Sequence, residues 1–428
     1  MDHTTSSARK GFSGFVLLLV ATAIAGLIGY VITWLVPREI GFASYALYAV
    51  YWSFLFLVVG SLSGIQQEIT RAQRAAAEYA LVVVDRVNDP RANLWRFTAV
   101  AAAGVFVLLT ATSPLWATAA FGRDGWSFVL PLACGASFYV VVAAVGGTLY
   151  GASRWGLLFL LISIEAVLRI LAIGVVLLVG GDTVALAWAV SIPFPLTLAI
   201  LWRGIRRAAR GRVALDVSYG RLIWNVARTI AAAASLGLMV SGFPFILGLV
   251  SGGANAESLG LLILTITLTR APLIVVVMAL QSYLVVFFRD RVSALLRSIL
   301  LIGAVIGSIA LLLALGLGLI GPELFGLLFP GDPTPGSTLL IILVLSSALV
   351  GLLCVTGTAL LATGRHGYYS AGWATAAAVS VVILLTPVPL NERTIVALLA
   401  GPIAGLIVHA VGVIVAQKVL ALTNSRSS

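Results

Sequence analysis

The sequence predicts an all-α polytopic membrane protein. About twelve transmembrane helices are expected, in two six-helix bundles related by a pseudo-two-fold axis along the membrane normal. The first observation behind this is composition: of 428 residues, 61% are hydrophobic and 10% charged, where soluble chains hold about 45–50% and about 25%. The second is mean hydropathy, +1.11 over the whole length, so apolar segments must recur from end to end. Together they exclude a water-soluble enzyme, and a disordered chain, whose signature is low hydrophobicity with high net charge. The third is the distribution of basic residues, taken up below.

A helix needs about 20 apolar residues to cross the hydrocarbon core. That ruler places crossings at 12–36, 43–65, 96–119, 127–149, 155–179, 183–202, 229–250, 259–287, 298–320, 337–361, 368–387 and 394–417. The first could be mistaken for a cleaved leader, because Arg9 and Lys10 precede an apolar run that meets Ala21-Thr22-Ala23. The run continues unbroken to Val36, too long for a leader's apolar core, and reads as the first span.

Twelve crossings put both termini on one side and sort the connections into two sets. One set carries 21 of the 26 Lys and Arg, and the other only Arg38, Arg123 and Arg393. The positive-inside rule therefore expects both termini and the long basic loops in the cytoplasm of a bacterial inner membrane. The net charge of +11 then reads as topology plus attraction to anionic lipid, with no nucleic-acid partner. Cys134 and Cys354 lie in apolar runs without neighbouring metal ligands, so neither a disulfide framework nor a metal site is expected. No cofactor is expected either.

The longest basic connector divides the chain evenly. This gives an N-terminal bundle at 1–202, a basic cytoplasmic linker at 203–228 and a C-terminal bundle at 229–428. Gly147-Thr148 and Gly151-Ala152-Ser153-Arg154 have counterparts in Gly357-Thr358 and Ala362-Thr363-Gly364-Arg365, about 210 residues on. Pro193 and Pro402 are related by nearly the same shift. Two halves with an even number of spans share one topology, which is a transporter plan. The linker, with Leu222-Ile223-Trp224 among its arginines, reads as an amphipathic surface segment. Stretch 66–91 is expected to continue span two as a cytoplasmic helix.

Lysine is confined to positions 10 and 418, so a phosphate-binding loop ending in Gly-Lys is excluded, and ATP hydrolysis with it. The Gly316–Gly321 pattern follows no strand and reads as helix composition. Gly248 and Gly252 read as a close-packing pair. Charges inside spans are costly and suggest function by default. Glu165 and Arg169 share a helix face at mid-membrane with the acid first, the favourable order for an ion pair. They form either a self-neutralised structural pair or a switchable pair lining a polar cavity, with Glu165 answering a coupling ion. Arg270 lies near the midplane with no acid within a turn. It must line a ligand site, pair with Glu165 or snorkel. Pro272 is expected to bend that helix as a hinge. His409 reads as a packing residue ahead of a titrating one, and Tyr45, Tyr48, Tyr51 and Trp52 as an interfacial aromatic belt ahead of a sugar-stacking surface.

Several stretches resemble the polysaccharide and lipid-linked oligosaccharide flippases of the multidrug/oligosaccharidyl-lipid/polysaccharide (MOP) exporter superfamily. They are Val36-Pro37-Arg38-Glu39-Ile40-Gly41 with Tyr45-Ala46-Leu47-Tyr48, the run from Gly64 to Arg71, Tyr150-Gly151-Ala152-Ser153-Arg154 with Arg169 downstream, and Ala362-Thr363-Gly364-Arg365-His366. The resemblance implies two bundles in a V around a cationic cavity that receives a polyprenyl diphosphate head and its glycan. It implies substrate-binding roles for Arg270, Arg169 and Arg38. The expected function is alternating-access translocation of a polyprenyl-diphosphate-linked saccharide for cell-surface polysaccharide synthesis. The protein would not be an enzyme. It would act as a monomer among membrane lipids, in functional association with glycosyltransferases and a polymerase. The rival readings are a small-molecule cation antiporter of the same superfamily, for which acidic cavity residues are expected, and an integral-membrane glycosyltransferase or polymerase.

Overall fold

The computed structural model describes residues 2–79, 91–210, 214–252, 255–291 and 294–427. It is helical almost throughout. Helix α1 (Asp2–Tyr79) holds the first two spans, which meet at Gly41, where φ 73 and ψ 161 interrupt the helical path. That backbone region is open essentially to glycine alone, and it compresses the expected outer turn to one residue. The helix also continues past span two to Tyr79, as the sequence suggests; positions 80–90 lie outside the described residues. Then follow strand β1 (Arg91–Asn93), α2 (Leu94–Phe121), a 3₁₀ turn (Gly125–Phe128), α3 (Val129–Gly151) and α4 (Trp155–Leu178). The next span is made of α5 (Thr183–Ser191) and α6 (Pro193–Ala209). Ile192 between them keeps helical φ −59 and ψ −32 and donates to the Trp188 carbonyl, so the span runs on as one helical path that lacks only the N–H of Pro193, and α13 likewise runs through its counterpart Pro402.

Strand β2 (Ala214–Ser218) precedes α7 (Tyr219–Gly237), a π turn (Leu238–Gly242) and α8 (Phe243–Val250). The remaining helices are α9 (Ala256–Asp290), α10 (Leu295–Leu328), α11 (Ser337–Ala362), α12 (His366–Leu384) and α13 (Leu390–Ser427). Among the described residues, ten helical stretches are long and apolar enough to cross a membrane. The first, Val16–Gln73, contains two crossings. Helix α9, 35 residues long, adds another at about 1.5 Å per residue. The twelve expected spans are thus present in a multi-pass membrane protein. Leu178, Leu312 and Leu319 stand exposed on α4 and α10, costly in water and neutral in lipid.

The chain forms two compact units, Met1–Glu39 with Val50–Gly237, and Ile40–Ala49 with Leu238–Ser428. In the first, span two packs tightly on α3. A Cβ added to Gly147 would come within 2.7 Å of the Gln66 carbonyl oxygen, and Gln73 Nε2 donates to Thr148 Oγ1 at 3.2 Å. Lipid supplies no hydrophobic force between helices, so small residues that let backbones approach do this work. Antiparallel β1 and β2 pair Arg91 with Ser218 and Asn93 with Ala214. In β2, Leu215-Asp216-Val217-Ser218 alternates apolar and polar as a half-buried strand does, while the three residues of β1 are too few to carry a pattern. In the second unit, Phe42 packs edge-on against Phe329 at 5.7 Å. There Arg393 donates to the carbonyls of Leu384 (2.9 Å), Thr386 (3.0 Å) and Val250 (2.6 Å), covering the C-terminal ends of α12 and α8.

The internal repeat is visible in the backbone. Helix α3 ends with Arg154 N bonded to Leu149 O and Ser153 N to Tyr150 O, and α11 ends with Arg365 N to Leu360 O and Gly364 N to Leu361 O. These are matching Schellman caps. Their offset is 211, one more than the Gly-Thr pairs suggest. The left-handed position is Gly364 (φ 74) in one half and Ser153 (φ 52) in the other. A side chain there is strained. Ser153→Gly is therefore expected to stabilise the protein by about 0.5–1 kcal/mol and Gly364→Ala to destabilise it by about 1 kcal/mol. Thermal unfolding of the two variants in detergent measures both.

Candidate functional site

Each unit buries one deep guanidinium, and the two are treated differently. In the first, the i,i+4 spacing on α4 brings Arg169 Nη2 into an ion pair with Glu165 Oε1. Arg169 Nε also faces the Val190 carbonyl of α5 at 3.4 Å. Three rings surround the cation, with centroids 5.1 Å (Phe56), 5.3 Å (Phe194) and 5.8 Å (Trp52) from its central carbon. Trp52 and Phe56 are one turn apart in span two, and Phe194 lies in the first turn of α6. Arg169 is 8% exposed, while the Glu165 side chain is 18% exposed. The guanidinium thus has a carboxylate, a carbonyl and three aromatic faces, each favourable to a cation. A ligand would reach it only by displacing one of them.

In the second unit Arg270 is 4% exposed. Its Nη2 faces the Met239 carbonyl at 3.5 Å, and its central carbon lies 5.7 Å from the Phe243 ring centroid. Nε has no hydrogen-bond partner among the described residues, and no carboxylate there lies within ion-pair distance of it. The hydroxyls of Thr265 and Thr269, one turn apart beside it, bond their own helix at Leu261 O and Thr265 O, both 2.7 Å. The Met239 carbonyl belongs to the π turn, whose i→i+5 pattern breaks the α-helical ladder. Helix α9 runs through position 272, and the side chain of Pro272 lies outside the described ones.

Arg38 is exposed at the end of the first span, over the Trp34 ring at 5.3 Å. The structure therefore puts Arg38 and Arg169 at separate places in one unit and Arg270 in the other. His409 is fully buried, with Nδ1 2.9 Å from Thr356 Oγ1 and Nε2 3.2 Å from Tyr369 O. Both ring nitrogens are satisfied, as a packing residue requires. Tyr45, Tyr48 and Tyr51 are buried too, the Tyr51 hydroxyl 2.6 Å from Ser191 Oγ, so the cluster read as an interfacial belt belongs to the core. Sequence reasoning missed the ring cage and Met239. The Trp52/Phe56 spacing was a usable signal, but nothing marked the π turn.

No protein-family model matches the chain. It is 31% identical over 391 residues to "Uncharacterized protein Rv3630" of Mycobacterium tuberculosis, covering 91% of this chain and 90% of that one. It is also 31% identical over 389 residues to "Uncharacterized protein Rv1510" of the same organism, covering 91% and 89%. Among solved structures it is similar to an inward-facing multidrug resistance MATE family transporter of the MOP superfamily, with TM-score 0.67, 14% identity and coverage of 93% and 95%. An outward-facing structure of that description gives 0.62, 15%, and 96% of each chain. A MOP superfamily transporter from Pyrococcus furiosus, described as having a reverse polarity of its binding pocket, gives 0.58, 14%, and 94% of each. The fold is that of the MOP superfamily transporters.

Proposed function

Because the chain belongs to one family with the M. tuberculosis proteins Rv3630 and Rv1510 and has the MOP fold, we propose that it is a transporter of an anionic lipid-linked substrate. The reading is a flippase that moves a polyprenyl-diphosphate-linked saccharide between leaflets by alternating access. One observation carries it: Arg270 is a buried cation at membrane depth without an acid partner among the described residues. An uncompensated charge there is expensive, and a diphosphate satisfies the planar guanidinium fork with two oxygens at once. Glu165, the more exposed member of its pair, is the group through which a proton or Na⁺ would act, and Arg38 is a contact for the head near the membrane surface.

The test is movement of a labelled polyprenyl diphosphate saccharide across proteoliposome membranes, read by leaflet-specific enzymatic cleavage of the label. Protein-dependent loss of leaflet asymmetry is expected. A second reading, a small-molecule cation antiporter, is favoured by Glu165, a carboxylate at mid-membrane whose side chain is 18% exposed and with which a cation can pair in exchange for Arg169. Ethidium movement in the same vesicles, with the labelled lipid left in its original leaflet, would establish that reading and end the first.

A further inference from the structure

We propose that the arginine-rich surface at the end of α6 and the start of α7 is a docking face for the anionic phospholipid headgroups of the bilayer itself. The end of α6 buries Leu201, Ile205, Ala208 and Ala209 and turns Trp202, Arg203, Arg206 and Arg207 outward. The start of α7 buries Leu222 and Val226 and turns Ile223, Trp224 and Arg228 outward. Trp224 is 65% exposed, and Arg206 lies over the Trp202 ring at 5.8 Å.

A solvated basic loop has no reason to present tryptophan and isoleucine beside its arginines. The headgroup layer does, because it offers apolar and anionic partners at one depth. Between positions 203 and 228 the only acid is Asp216. Among the described residues no carboxylate pairs with Arg203, Arg206, Arg207 or Arg228. The start of α7 is also fixed in place: β2, which leads into it, pairs with β1, and Asn93 N donates to Tyr219 Oη at 3.0 Å. Topology alone would account for the arginines, but it predicts no choice among lipids. Docking predicts a preference for anionic headgroups of about fivefold per arginine near the surface, weakened by salt.

The experiment reconstitutes the full chain in phosphatidylcholine vesicles. These contain the same fraction of either brominated phosphatidylglycerol or brominated phosphatidylcholine. The quenched tryptophan signal that disappears in the Trp202→Phe/Trp224→Phe variant isolates this face. Phosphatidylglycerol is expected to quench that component at more than tenfold lower mole fraction than phosphatidylcholine. The preference should vanish in Arg203→Gln/Arg206→Gln/Arg207→Gln/Arg228→Gln and persist in the matching quadruple lysine variant. Equal quenching by the two lipids, or a preference that survives the glutamine variant, overturns the proposal. So does displacement of brominated phosphatidylglycerol by traces of polyprenyl diphosphate, which would make a carrier lipid the occupant. None of these readouts depends on transport, so the proposal stands or falls separately from the function proposed above.

Discussion

Arg270→Gln is expected to lower transport of a polyprenyl diphosphate saccharide by at least tenfold, and towards a hundredfold, while the protein inserts and folds normally. A charge-assisted hydrogen bond contributes about 1.5–3 kcal/mol, and about 1.4 kcal/mol is a factor of ten. The variant keeps a polar, hydrogen-bonding side chain, though a shorter one, and loses the charge and the fork. Stability should move the other way. The guanidinium is held by one carbonyl at 3.5 Å, its Nε has no partner among the described residues, and the charge is costly at that depth. Thermal unfolding in detergent should therefore be unchanged or shifted up. A structural arginine would behave in the opposite sense, with a large drop in unfolding temperature and little specific effect on transport. Arg270→Lys separates charge from fork and should recover only part of the activity. Wild-type transport by Arg270→Gln would remove the basis of the proposed function.

Glu165→Ala should be the most destabilising change in the first unit. It leaves the Arg169 guanidinium, 8% exposed, with one carbonyl and three rings, and breaking a buried pair from one side costs about 3–5 kcal/mol. The double variant Glu165→Leu/Arg169→Met removes both charges and should recover most of that loss. The coupling is the double variant's change less those of Glu165→Leu and Arg169→Met measured singly. The same double variant resolves the two readings that the helical spacing leaves open. If it transports normally, the pair is a structural fixture between α4 and α5. If it is stable but inactive, the pair takes part in the transport cycle.

The spans were legible because membrane crossing imposes a length and a composition, both of which can be counted along the chain. The Glu165–Arg169 pair was legible because one helix face supplies both partners. The repeat was legible through its exit turns, although its true offset emerged only from the left-handed backbone at Ser153 and Gly364. Features assembled from distant segments were not. The cage around Arg169 draws rings from span two and α6, and neither segment announces a partner. The two strands, of three and five residues, lie in separate connectors, and although Leu215-Asp216-Val217-Ser218 alternates, nothing in Arg91–Asn93 names it as the partner. The π turn depends on how amides pair, which side-chain chemistry does not record.

That turn has a mechanical consequence. Between Leu238 and Gly242 the helix stores one amino acid more than its rise requires. A stored residue can be passed along by exchanging one amide partner at a time, and each step swivels the residue it passes by about 100° about the helix axis. Since the Met239 carbonyl is among the groups that would swap partners, whatever occupies Arg270 has direct purchase on that swivel.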